Sequence, residues 1–107
     1  MLEVLSFGWY EHELDWAPSD PYKFGEWATL FVGENNAGNY YELQICTASV
    51  ISQLASKRHL FILDEWVSLE QTISELNQFI HETLTHNLKP DPYRLLGEHW
   101  FWEYEGM

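Results

Sequence analysis

The sequence predicts an α+β domain: a mostly antiparallel, twisted sheet of about five strands, with two main helices packed largely on one face. Three observations carry that prediction. Short segments of alternating or continuous apolar residues recur along the chain, bounded by turn residues. One long stretch repeats its apolar residues at helical spacing behind a serine cap. Finally, 46% of the residues are hydrophobic and 17% aromatic, which is a folding composition and not that of a disordered acidic tail. At 107 residues, the chain is expected to form a single domain, 1–107, around one core.

Residues 2–10 alternate, with Leu5, Phe7 and Trp9 toward one side, and predict a first strand. Glu11 to Pro21 reads as a loop, because Pro18 and Pro21 oppose regular structure. Glu26 to Val32 predicts a second strand. Gly33-Glu34-Asn35-Asn36-Ala37-Gly38 is rich in residues that tolerate positive φ and predicts a hairpin loop. A third strand follows from about Tyr40 to Cys46, with Tyr41, Leu43 and Ile45 on one face and Glu42 and Gln44 on the other. Thr47 is placed to cap a short helix to about Ser56, with Val50, Ile51 and Leu54 as its apolar stripe. Leu60-Phe61-Ile62-Leu63 is a continuous apolar run that suits a strand inside a sheet. Ser68-Leu69-Glu70-Gln71 matches a capping box and opens the clearest helix. Its stripe is Leu69, Ile73, Leu76, Ile80 and Leu84, and it runs to about Asn87. Pro90-Asp91-Pro92 breaks the chain, and a helical turn is expected at Tyr93 to Leu96, before Gly97. His99 to Tyr104 predicts the last strand, with Trp100, Trp102 and Tyr104 on one face.

Charge narrows the function. Five Lys and Arg stand against seventeen Asp and Glu, a formal net charge of -12. Lys23, Lys57, Arg58, Lys89 and Arg94 form no run able to hold a phosphate backbone, so nucleic acid is not an expected partner. Acidic membrane surfaces are disfavoured for the same reason. A basic protein, or the basic cleft of a nucleic-acid enzyme, is drawn in by long-range attraction. Solubility alone is the simpler use of such charge, and both readings stand. Cys46 is the only cysteine, so no internal disulfide is expected, which fits a reducing cytoplasm. The first residues lack the basic start and apolar stretch of a signal peptide, and no apolar run reaches bilayer length. A cytoplasmic location is the expectation.

Catalysis finds little support, and no catalytic residue, metal ligand or cofactor is assigned. His81 and His86 are five apart on the predicted helix and do not share a face. Glu11-His12-Glu13 reads as a solvated loop before it reads as a loose metal site. Cys46 reads as a buried structural thiol before it reads as a stabilised thiolate at a helix cap. No Gly-rich phosphate loop or nucleophile elbow is present. Binding has better candidates. Glu11, Glu13, Asp15 and Asp20 surround Trp16 in one loop, and a large aromatic among carboxylates suits a binding hot spot. Trp16 equally suits a plug at the bottom of the sheet. Glu103 and Glu105 flank the Trp100–Tyr104 stripe, which is core packing in one reading and an acidic interface platform in the other.

Tyr41-Glu42-Leu43-Gln44-Ile45-Cys46-Thr47 resembles the segment that marks the immunity protein 8 family, bacterial proteins that neutralise polymorphic toxins delivered between competing cells. In that family a strand ends in an aliphatic residue, Cys and Thr, usually followed by Pro and a helix; here Ala48 stands at the Pro position. Arg58-His59-Leu60-Phe61-Ile62-Leu63 looks like the family's next strand, and the long helix and aromatic final strand come in the same order. The resemblance implies non-enzymatic inhibition by tight binding to a cognate toxin domain. A basic-cleft nuclease is the toxin class that the charge favours. Two other classes remain open on the residues alone: a small carboxylate enzyme and a general protein-interaction adaptor.

Overall fold

The hairpin at Asn35 and Asn36 sets the register of the sheet. In the computed structural model, which describes residues 1–86 and 91–103, both asparagines take positive φ, 53° and 64°. That is the backbone of a two-residue turn whose twist matches the flanking strands. It joins β2 (Gly25–Glu34) to β3 (Ala37–Thr47), paired without a break from Glu34↔Ala37 to Gly25↔Cys46. The loop is therefore shorter than the sequence suggested. Gly33 and Gly38 face each other in the ladder, and a Cβ on either would run into the opposing backbone.

β1 (Glu3–Trp9) pairs antiparallel with β2, with a bulge between Val4 and Ser6. Leu5 is the extra residue there. The bulge resets the alternation, so Leu2 and Val4 face the core before it and Phe7 and Trp9 after it. Leu5 is left exposed and does not join Phe7 and Trp9 as the alternation suggested. β4 (Leu60–Leu63) runs parallel to β3, and β5 (Phe101–Trp102) pairs antiparallel with β3 at Tyr41 and Glu42. The sheet order is β1-β2-β3-β4, with β5 beside β3.

One face of this sheet carries the core. Ala28, Leu30, Val32, Tyr41, Leu43, Ile45 and Leu63 pack against Leu76 and Ile80 of α1 (Leu69–Thr85). The α1 cap is as expected: Ser68 Oγ accepts the Gln71 amide at 3.0 Å. Within the predicted stripe Leu76 and Ile80 are fully buried, while Leu69, Ile73 and Leu84 are partly so. Thr72 is buried in their row, its hydroxyl donating to Ser68 O at 3.0 Å. The Asp91 side chain caps α2 (Pro92–Leu96) by accepting from Tyr93 N and Arg94 N at 3.1 and 3.3 Å. Leu96 then leads to Trp100, which is wedged among the rings of Tyr41, Phe61 and Phe79. The last strand is only Phe101–Trp102, so Trp100 is core packing just before it. Tyr104 and Asn87 lie outside the described residues.

The Thr47–Ser56 helix is the main departure. It is a six-residue 3-10 helix, Ala48–Gln53, so the sheet has one main helix and the short α2 on its core face. Thr47 caps nothing: its hydroxyl accepts the Phe24 amide at 3.2 Å and ties the start of β2 to the end of β3. The 3-10 helix covers the opposite face. Val50 and Leu54 sit over Gly25 beside Cys46. Gln44 Nε2 donates to Ser56 O and Arg58 O at 2.9 and 3.0 Å, so Gln44 is buried on this second face. Among the described residues, no helix is long and apolar enough to cross a membrane.

Candidate functional site

The acidic loop splits into two parts. Glu11, Glu13, Asp15 and Asp20 are exposed. Trp16 turns inward and is half-buried, with ring centroids 5.1 Å from Trp9, 6.4 Å from Phe24 and 6.5 Å from Trp66. His12 stacks on its outer side at 4.1 Å and 7°, with Nε2 3.2 Å from Glu26 Oε1. Trp16 thus plugs the end of the sheet, with part of its ring left accessible beside the exposed carboxylates. Glu103 is exposed, and its carboxylate accepts the Tyr40 amide at 2.9 Å while its own amide donates to Tyr40 O at 3.2 Å. It extends the pairing of β5 with β3. Glu105 lies outside the described residues.

A second surface was not singled out from the sequence. Strand alternation puts Tyr10, Trp27 and Phe31 on the face opposite the core, with Tyr40, Glu42 and Phe101 beside them. The 3-10 helix covers only the end of this face, near Gln44 and Cys46. Over the rest, Tyr10 is 59% exposed, Tyr40 49% and Phe101 46%, and Trp27 and Phe31 are half-buried. The Phe31 and Tyr40 rings pack at 4.8 Å, and Phe101 meets His59 edge-on at 5.8 Å. The Tyr10 hydroxyl donates to Glu42 Oε1 at 2.6 Å, a bond that raises the Tyr10 phenol above its ordinary value. Glu3 stands on the same face and Glu103 at its β3 edge. None of the five strands contains a Lys or Arg. The sequence did hold a signal for this surface. β2 alternates Trp27, Thr29, Phe31 with Ala28, Leu30, Val32, so both of its faces are apolar, as in a strand covered on both sides.

Elsewhere the chemistry is sparse. A cleft of about 390 Å³ is lined by Met1, Leu2, Glu34, His81, Leu84, Thr85, Pro92 and Tyr93. Its one carboxylate, Glu34, is paired with the Met1 ammonium group. His81 Nδ1 lies 3.2 Å from Met1 Sδ. Among the described residues, no three His, Cys, Asp or Glu side chains converge as a metal ion requires. Cys46 is fully buried, and desolvation pushes its thiol up, away from a reactive thiolate. Comparison with known proteins adds no family to this picture: no family model, curated protein or solved structure matches the chain.

Proposed function

We propose that this protein is a non-enzymatic inhibitor that works in the bacterial cytoplasm by binding and occluding a toxin domain with a basic cleft. The single observation that carries the reading is the open sheet face. Exposed Tyr40 and Phe101 stand there beside Glu42, on strands without a single cation, with exposed Tyr10 just past the end of β1, in a chain of net charge -12. A domain this size rarely leaves several large aromatics on one sheet face unless another surface covers them. Aromatic anchors give residence, and surrounding acid gives fast encounter with a basic partner. The resemblance of Tyr41–Thr47 to the immunity protein 8 segment supplies the biological class. Within the fold that segment is scaffold: Tyr41, Leu43 and Ile45 are core, and Thr47 latches β2. It therefore supports kinship in architecture, while the open face supports the binding role. A nuclease is the toxin class that fits best, because a cleft that holds phosphate must be basic.

The test is protection. The reading frame beside this gene is expressed as a toxin domain, with and without this protein, and growth and complex stoichiometry are measured. A one-to-one complex and restored growth are expected. No complex, or a complex that leaves the toxin active, would exclude the inhibitor reading in favour of an adaptor.

A further inference from the structure

We infer that Glu42 and Tyr10 form a receiving site for an arginine side chain of the partner. This rests on the open face being the binding surface, and it names the chemistry of the contact. Gly8, Thr29, Glu42 and Phe101 lie in register across β1, β2, β3 and β5. Gly8 and Thr29 are small, and a Cβ added at Gly8 would meet nothing within 4 Å. A long side chain therefore has room to lie along this row and end at the Glu42 carboxylate. Tyr10 reaches the same carboxylate from the neighbouring row, where its amide donates to Trp27 O at 3.0 Å.

The carboxylate is held but not saturated. Its Oε1 accepts from Tyr10 at 2.6 Å, while an ionised carboxylate offers about four lone-pair positions. Among the described residues, no Lys or Arg pairs with Glu42. Two partly exposed rings, Tyr10 at 59% and Phe101 at 46%, stand on either side of it, the Phe101 ring also meeting His59 edge-on. A planar guanidinium fits such a place: it donates parallel N–H groups to the carboxylate and lays its weakly hydrated face on a ring. An ammonium group is a compact, strongly hydrated point charge and gains less there.

Labelled hexaarginine and hexalysine carry equal charge, so their comparison separates guanidinium recognition from steering. Binding of each is measured by fluorescence anisotropy at about 0.1 M salt. Hexaarginine is expected to bind roughly fivefold more tightly than hexalysine. That ratio should fall to near one in Glu42→Gln and drop in Phe101→Leu, and persist in Glu13→Gln. Glu42→Gln keeps the shape of the side chain and an acceptor for Tyr10, and its circular dichroism spectrum checks that the fold is retained. Equal binding of the two peptides to the wild type, or a ratio unmoved by Glu42→Gln, would overturn the site. The toxin assay stays independent of this outcome. Peptide selectivity without protection removes the inhibitor reading and keeps the site; protection without selectivity does the reverse.

Discussion

The backbone amide of Val4 donates to Asn77 Oδ1 at 2.7 Å, across 73 residues of sequence. Val4 sits just before the bulge of β1, an edge strand of the sheet, so this amide would otherwise lie on an open sheet edge. One side chain of α1 thereby satisfies the edge at Val4 and ties the helix to it. Asn77→Ala should destabilise the fold by about 1–3 kcal/mol, because it strands a part-buried donor. Urea unfolding measures the loss. An effect below about 0.5 kcal/mol would mean that water replaces the contact.

Helix α1 makes a graded prediction. Leu76 is fully buried against the sheet, whereas Leu69 is only partly covered near the helix start. Leu76→Ala should lose roughly 2–5 kcal/mol, as a core cavity does. Leu69→Ala should lose clearly less, since its site is open to solvent. Equal losses in chemical denaturation would contradict the packing described above.

What the sequence revealed depended on how far each signal reached along the chain. The capped helix at Ser68 and the strand at Tyr40–Cys46 were legible, because cap, periodicity and burial all act locally. Leu5 was not, because a bulge is set by pairing with β2 and leaves no mark on the alternation of its own strand. The Thr47 hydroxyl had two competing partners, a helix amide and the Phe24 amide, and the choice depended on the fold bringing β2 alongside. The open face was missed for a related reason. Tyr10, Trp27, Tyr40, Glu42 and Phe101 are scattered along the sequence, and only the register of four strands gathers them. The Glu11–Asp20 loop stood out because its carboxylates are adjacent in sequence, although its Trp16 turned inward.

That inward turn separates two variants. Trp16→Ala should lower folding stability by about 1–3 kcal/mol, since it unpacks Trp9, Phe24 and Trp66. Neutralising Glu11, Glu13 and Asp15 together should leave stability within about 0.5 kcal/mol, because all three are exposed. Thermal and urea unfolding of both variants test the pair. A stable Trp16→Ala protein would return Trp16 to the role of a free binding anchor.

Alkaline pH should weaken the fold in two steps. Desolvation raises Cys46 above its ordinary value of 9.0 and Tyr41 above 10.0. Each group therefore holds its proton more tightly in the folded state than in the unfolded one. Its contribution is complete below the unfolded value and is lost as pH rises toward the folded one. Unfolding free energy should be flat with respect to these groups below about pH 8 and fall above about pH 9, first through Cys46 and then through Tyr41. Cys46→Ala should delay the onset of the decline. Tyr41→Phe should remove the later part, at the expense of the Tyr41 hydroxyl's 2.8 Å bond to Tyr93 O. Unfolding curves at stepped pH test this, and a stability that rises above pH 9 would contradict the sign.

Binding to the toxin domain should divide between the two rate constants. The net charge of -12 acts at long range, so the association rate should fall as salt rises. The aromatic pair Phe31–Tyr40 acts only at contact, with rings already packed at 4.8 Å and therefore partly pre-organised. Tyr40→Ala should act mainly on dissociation and weaken the complex by about 2 kcal/mol or more if the ring is an anchor. Tyr40 is 49% exposed in the free protein, so the same variant should change folding stability far less than it changes affinity. Neutralising Glu11, Glu13 and Asp15 should slow association more than it speeds dissociation, because all three are exposed and act mainly through long-range charge. Stopped-flow and surface-capture kinetics across a salt series separate the effects. A salt-independent association rate would remove steering, and an unchanged dissociation rate in Tyr40→Ala would move the anchor away from the open face.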